Sequence, residues 1–349
     1  MRLASPQMPS GELAGDYRWF PEDFRSTRQQ LSFVFTSRAA LASQPFLDHR
    51  WPQDGLEHRQ VSFEAIADEL PHAAKPELNF IWHTSFCCST LLAHALDAPG
   101  RNLSLSEPMV LVSIADAKKT GAVEQGWQLS RLPEIVFRLL ARPETPGARV
   151  LVKPSNFANH LLPDAARLTS GKSLFLYSGL PDFLVSIAKS GISLRKYARK
   201  LFASLTANMR EQLPWPAAEI FQMSDLEIAA LVWHLQLLEF RSALPLLGAT
   251  RSASLNCDAF LTDPETALAK LDAFFGLGLG ARHIAQTVSG PLLNHHAKAP
   301  SQSFDADCRR KQADDVKRHL GDDLNRIVEW SYRACPMTPQ GVPLPNALL

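Results

Sequence analysis

The stretch Leu78-Asn79-Phe80-Ile81-Trp82-His83-Thr84-Ser85-Phe86-Cys87-Cys88-Ser89-Thr90-Leu91-Leu92 holds the most chemistry in the smallest space. An apolar run ends at Trp82, small and polar residues follow, and Ser89 or Thr90 opens a helix whose Leu91, Leu92 and Leu96 face inward. A helix that starts there aims its unpaired backbone N–H groups and the positive end of its dipole at the loop, which suits an anion. Ser89 and Thr90 can add hydroxyl donors, and Cys87 and Cys88 are small enough for an anion to approach the backbone. The loop lacks the two glycines and the lysine of the nucleoside-triphosphate pattern G-x-x-x-x-G-K-[ST]. Read alone, the segment is equally a Ser/Thr cap on a buried helix.

Other candidates lie at further strand ends. Glu107 follows a second apolar run, is held by Pro108, and is the residue expected to take a proton from an attacking nucleophile. Capping the helix that begins near Met109 is its structural alternative. Lys153 ends a third run, where its ammonium is expected to reach the loop, because ligands of open α/β sheets bind beyond the carboxyl ends of strands. Arg195 and Arg199 share one face of a helix, and Lys196 and Lys200 share another. His83 stands in the loop itself, and His295-His296 would need a third ligand to hold a metal. Cys87 as a phosphatase-like nucleophile would need an arginine where Ala93 and His94 stand.

The surrounding elements predict an α/β fold: a doubly wound, mostly parallel sheet with helices on both faces. Strands are expected at Leu78–Trp82, Asn102–Leu105, Arg149–Lys153 and Ser173–Tyr177, with a weaker one near Ala253–Cys257. Helices are expected at Ser89–Leu96, Met109–Lys118, Leu132–Ala141, Asn159–Leu168 and Asp182–Lys189. Two longer ones, about Ser193–Gln212 and Asp225–Leu246, lie within a helical insertion or lid over 193–250, although their Leu, Ala and Phe content fits core-packing helices better, and a last one spans about Asp307–Tyr332. Residues 1–75 read as an extension that packs on the core through Trp19, Phe20, Phe24 and Trp51, with helical spacing only at Ser62–Leu70. The main domain covers 76–335, and 336–349 form a tail.

The composition excludes several classes. Thirty-six Lys and Arg against 35 Asp and Glu give a net charge of +1, so nothing points to nucleic acid. Five cysteines at irregular spacing fit neither a disulfide framework nor a four-thiolate zinc site, and they read as reduced thiols of a cytoplasmic protein. The start lacks the apolar core of a signal peptide, and His234, Gln236 and Glu239 interrupt the apolar stretch at Ile228–Phe240, so no membrane span is expected.

In this order the motifs resemble the sulfotransferase family, which uses 3′-phosphoadenosine 5′-phosphosulfate and carries a loop of the form G-T-x-[RK]-S-G-[ST]-[ST]-L-L after its first strand. His83 to Leu92 matches that loop in length and in its Thr, Ser-Thr and Leu-Leu positions. Ser106-Glu107-Pro108 is similar to an S-E-P of bacterial relatives, and Leu176 to Ser186 to L-x-R-D-P-R-D-x-x-x-S. Leu255 to Leu261, then Asp263-Pro264-Glu265 and Phe274 to Leu277, resemble Y-E-D-L, D-P-E and F-L-G-L. The resemblance covers roughly residues 78 to 280. It implies transfer of a sulfuryl group to a hydroxyl or amine of a small-molecule or glycan acceptor, without a metal. It also implies that Thr84, Ser85, Phe86, Cys87, Cys88, Ser89 and Thr90 hold the 5′-phosphosulfate and that Ser178 and Ser186 meet the 3′-phosphate. Two family cations are replaced, by Phe86 in the loop and by Ser178 after the fourth strand. Lys153, Arg195 or Arg199, and Lys298 are the replacements available. The rival readings are a non-catalytic nucleotide-binding or assembly protein that kept the fold and lost the site cations, and a kinase or nucleotide hydrolase with the same loop.

Overall fold

The computed structural model describes residues 10–70, 74–121, 129–207, 213–294, 306–336, 338–340 and 344–349. Its centre is a five-stranded sheet of β4 (Asn79–His83), β5 (Asn102–Ser106), β6 (Arg149–Lys153), β7 (Ser173–Tyr177) and β8 (Ser252–Asn256), in the spatial order β5-β6-β4-β7-β8. Every pairing in it is parallel. The alternation of side chains along a strand divides the core in two. Phe80, Trp82, Val150, Val152, Phe175 and Tyr177 enter one apolar cluster, and Ile81, Leu151, Leu174, Leu176, Ala253 and Leu255 enter the other.

The first cluster is covered by helices Met109–Lys119, Leu132–Leu140, Leu162–Leu168, Leu180–Lys189, Gly191–Leu205 and Asp225–Leu247; the second by Ser89–Ala95, Pro264–Phe275 and Gly280–Ser289. Both faces are therefore dressed with helices, as right-handed crossovers between parallel strands require. From β4 the chain runs toward β5, and from β7 it runs the other way toward β8. The carboxyl ends of β4 and β7 thus form the topological switch point, where such sheets open a crevice.

Three expectations need correction. Residues 1–75 are more regular than their composition suggests: β1 (Trp19–Arg25), β2 (Gln30–Phe35) and β3 (Glu57–Ser62) form an antiparallel sheet in the order β1-β2-β3. Trp19, Phe20, Phe24 and Trp51 lie in the same apolar cluster as Phe80 and Phe137. The Arg142 guanidinium, whose pKa burial lowers to about 9, clamps this unit by donating to the carbonyls of Leu13 (2.6 Å), Asp16 (2.7 Å) and Trp19 (2.6 Å). Second, helix Asp225–Leu247 is a core element, not a lid, with Trp233, His234, Gln236, Leu237 and Phe240 all buried. Ser224 and Glu227 start it with a reciprocal capping box. Third, the last residues return to the sheet, where Ala347 bridges Ser254 of β8 in parallel and Leu344 is buried. No helix among the described residues is long and apolar enough to cross a membrane.

Candidate functional site

The loop between β4 and helix Ser89–Ala95 turns tightly without glycine. Ser85, Phe86 and Cys88 have φ of 68°, 52° and 59°, in the left-handed region, at a cost of roughly 1–3 kcal/mol each. Cys88, rather than Ser89 or Thr90, is the N-cap, and its side chain makes no capping bond. Successive N–H groups in such a turn point to one side and form a concavity suited to an anion.

A buried polar network holds the loop in this shape. His83 donates from Nε2 to the Pro154 carbonyl (3.0 Å) and accepts at Nδ1 from the Ser85 N–H (3.1 Å). Ser85 Oγ donates to Asn156 Oδ1 (2.6 Å) and lies 3.0 Å from the Tyr197 hydroxyl, which also reaches Asn156 Oδ1 at 3.2 Å. Asn156 Nδ2 donates to the His83 carbonyl and to Gln236 Oε1, each at 2.5 Å. Gln236 Nε2 in turn donates to the Thr84 carbonyl at 3.4 Å. The His83 and Ser85 side chains therefore brace the loop, and of the two roles open to His83, contact with a phosphate or a bond to its own backbone, the second is made here. Phe86, where the family has a cation, packs on Phe183 (centroids 5.6 Å apart) and Tyr197 (6.2 Å). Burial pushes the Tyr197 phenol far above its usual range, so this hydroxyl is a fixed strut and not a proton acceptor.

Three buried hydroxyls near this loop, Thr84 Oγ1, Thr90 Oγ1 and Ser178 Oγ, are left without a hydrogen bond among the described residues. Thr84 directly follows β4, and Ser178 directly follows β7, the strand in which Leu176 pairs with His83. A buried hydroxyl without a partner costs about 1–3 kcal/mol.

Beside them the Ser106-Glu107-Pro108 turn is held by the N-terminal unit. The Leu47 N–H donates to the Ser106 carbonyl (2.7 Å), and the Met109 N–H donates to the Leu47 carbonyl (2.9 Å). Glu107 sits at φ 52° and accepts from Lys153 Nζ on Oε1 at 2.5 Å. Arg50, which also pairs with Asp48, stands 3.7 Å from Glu107 Oε2. The Phe46 ring lies under both cations, 3.6 Å from the Arg50 guanidinium carbon and 5.6 Å from Lys153 Nζ. Lys153 is fully buried, and together with burial its charge depresses the His94 imidazole on the loop helix. The expected cation and the expected base thus form one ion pair next to the loop.

The remaining expected residues are placed differently. Arg199 is turned away, with Nε on Asp225 (2.5 Å) and Nη2 on the Met223 carbonyl (2.7 Å). Arg195 lies one turn earlier, with a buried Nε that has no partner among the described residues. Ser186 donates back to the Asp182 carbonyl (2.9 Å) within its own helix. Cys87 is buried with its thiol on the Leu176 carbonyl (3.6 Å), and Ser89 is buried at the first helical position. Lys298 and the His295-His296 pair lie outside the described residues. No group of three or more His, Cys, Asp or Glu among the described residues is arranged to hold a metal.

Sequence reasoning missed Asn156, Tyr197, Gln236 and the trio Phe46, Asp48 and Arg50. Asn156 had a readable signal, since it follows the end of β6 as Glu107 follows β5. Gln236 shows as a polar residue inside an apolar helical stretch. Nothing in residues 46–50 marks them as neighbours of Glu107.

No family model and no curated protein matches the chain. Solved structures similar to it include three sulfotransferases. The sulfotransferase domain from the curacin biosynthetic pathway aligns with TM-score 0.46 at 15% identity, over 74% of this chain and 98% of that one. The sulfotransferase domain from the Synechococcus PCC 7002 olefin synthase gives 0.41 at 13%, over 78% and 93%. A sulfotransferase from Alicyclobacillus acidocaldarius gives 0.36 at 14%, over 76% and 97%.

Proposed function

We propose that the chain transfers a sulfuryl group from 3′-phosphoadenosine 5′-phosphosulfate to a hydroxyl or amine of a small-molecule or glycan acceptor. The observation that carries this reading is the set of buried hydroxyls of Thr84, Thr90 and Ser178, without partners among the described residues, in the loop and helix that follow β4 and just past the end of β7, segments whose order resembles that family. In this reading those hydroxyls and the loop N–H groups hold the phosphosulfate, with Ser178 and Ser186 on the side of the 3′-phosphate. The acceptor oxygen or nitrogen attacks sulfur in line, the bond from sulfur to the donor's phosphate oxygen breaks, and the acceptor proton passes to Glu107 Oε2, the oxygen not held by Lys153. Lys153 sets the position of that carboxylate and adds positive potential beneath the loop.

A second reading has its own support: Lys153 is held by Glu107 and Arg199 by Asp225, as expected of a binding protein that no longer catalyses transfer. Incubating the purified protein with 35S-labelled donor and a panel of phenols, alcohols, amines and oligosaccharides separates the two. Labelled product that disappears in Glu107→Gln supports transfer. Tight binding of the donor with no product on any acceptor class supports the second reading.

A further inference from the structure

Residues 46–50 bring a cation of the N-terminal unit to Glu107, and the transfer step has no use for it. Buried Leu47 fixes their place by two backbone bonds, from its N–H to the Ser106 carbonyl and to its carbonyl from the Met109 N–H, so the segment is pinned on both sides of Glu107. Asp48 and Arg50 then close a turn. Asp48 Oδ1 accepts from the Arg50 backbone N–H and from Arg50 Nε, each at 2.9 Å, and Oδ2 accepts from Nε at 3.0 Å and from Nη2. The guanidinium carbon lies 3.6 Å from the centre of the Phe46 ring, which holds the group by its face as Asp48 holds it by its edge. Nη2 stands 3.7 Å from Glu107 Oε2, on the far side of the carboxylate from Lys153 Nζ.

A guanidinium has five N–H donors, and Asp48 takes only those of one edge. The two on Arg50 Nη1 have no hydrogen bond among the described residues, and 48% of the side chain is exposed. Asp16 and Arg18 make a turn of the same form, with Arg18 Nε and Nη2 on the Asp16 carboxylate, so the Asp-x-Arg pattern is by itself local structure. What sets Arg50 apart is its place, oriented from two sides against the carboxylate that follows β5.

We propose that Arg50 binds a carboxylate of the acceptor, which makes the acceptors of this chain hydroxy acids or amino acids. That the ligand is an acceptor rests on the sulfuryl-transfer reading; that Arg50 binds a carboxylate does not. Asp48, Arg50, Glu107 and Lys153 sum to zero charge, so the cluster takes one added negative charge more readily than the nearly two of a phosphate monoester. An attacking atom that gives its proton to Glu107 Oε2 sits about 3 Å from it, and a carboxylate on Nη1 sits at a similar distance from that nitrogen. The nucleophile and the carboxylate are therefore separated by only a few bonds, which selects compact acceptors.

The test titrates the full chain, without nucleotide, with β-hydroxybutyrate and m-hydroxybenzoate, each beside its neutral amide. The acids should bind about tenfold more tightly than the amides, or better, as a charge-assisted hydrogen bond allows. Arg50→Ala should abolish that preference, Arg50→Lys should keep part of it, and Arg18→Ala should keep all of it. Arg50→Gln, which keeps a polar stem over Phe46, repeats the measurement should Arg50→Ala fail to fold. Equal affinity for acid and amide on both scaffolds, no binding of either acid, or a preference that survives the loss of the guanidinium overturns the proposal. These titrations need no donor, so they decide Arg50 even if labelled donor yields no product on any acceptor. Failure of the transfer reading shows separately, as the absence of product from the wild-type protein.

Discussion

Removing one partner of the Glu107–Lys153 pair should cost far more on one side than on the other. Lys153 has no exposed side-chain surface, and its Nζ sits 2.5 Å from Glu107 Oε1, whereas the Glu107 side chain retains 16% of its surface. At an effective dielectric of about 20 the attraction at that separation is roughly 7 kcal/mol, most of which is offset by the desolvation of the two ions. Glu107→Gln takes the carboxylate charge away from a fully buried ammonium, so it should destabilise the protein by about 3–5 kcal/mol. Lys153→Met leaves a carboxylate that still touches water and has Arg50 at 3.7 Å, so its cost should stay near 1–2 kcal/mol, a range typical of core substitutions that conserve volume. The double variant should unfold close to Lys153→Met, which gives a coupling as large as the Glu107→Gln cost itself, about 3–5 kcal/mol, at or above the usual ceiling for neighbours in contact. Urea unfolding of the four proteins measures this directly. If Lys153→Met proves costlier than Glu107→Gln, the burial asymmetry is not what governs this pair, and Lys153 is held by something other than Glu107.

Two further predictions concern the polar layer beneath the loop. Tyr197→Phe removes a hydroxyl shared by Ser85 and Asn156, so it should cost about 1–2 kcal/mol in urea unfolding and speed hydrogen exchange of the loop amides, while leaving exchange at β1–β3 unchanged. Glu239 lies 3.4 Å from His160, and burial pushes its carboxyl pKa up to about 8. The native state therefore holds this proton where the unfolded chain has lost it, so the contribution is full below about pH 4.5 and is lost as pH rises through about 8. Glu239→Gln should flatten that part of the stability profile, and an unchanged slope between pH 5 and 8 would mean that Glu239 is ionised in the folded protein.

The parallel sheet was legible because its strands are short apolar runs with helical spacing between them. Arg149–Lys153 and Ser173–Tyr177 coincide with β6 and β7, and the other three strands are displaced by a residue at one or both ends. The N-terminal sheet was not, since β3 reads Glu-His-Arg-Gln-Val-Ser with no buried residue and is held by pairing to β2 rather than by its own pattern. In the site, sequence order located the chemistry at the ends of β4, β5, β6 and β7. It could not say which polar groups answer one another: Lys153 turns to Glu107, Arg199 to Asp225 and His83 to Pro154. Those choices depend on which side chains pack together, across 26 to 71 residues of sequence separation. The hydroxyls of Thr84, Thr90 and Ser178 stand out only once the hydrogen bonds of His83, Ser85, Asn156 and Tyr197 have been assigned.

The central claim is that these hydroxyls await an anionic donor, and calorimetric titration of wild type and Ser178→Ala with 3′,5′-adenosine bisphosphate, with ATP–magnesium as comparison, tests it most directly. Ser178 Oγ has no partner among the described residues, so its removal should leave stability unchanged or slightly raised, yet weaken bisphosphate binding by about 1.5–3 kcal/mol, or ten- to over a hundredfold. Wild-type binding of the bisphosphate in preference to ATP, with that loss in the variant, is the predicted result. Equal bisphosphate affinity in the two proteins, or preference for ATP–magnesium, would contradict the account.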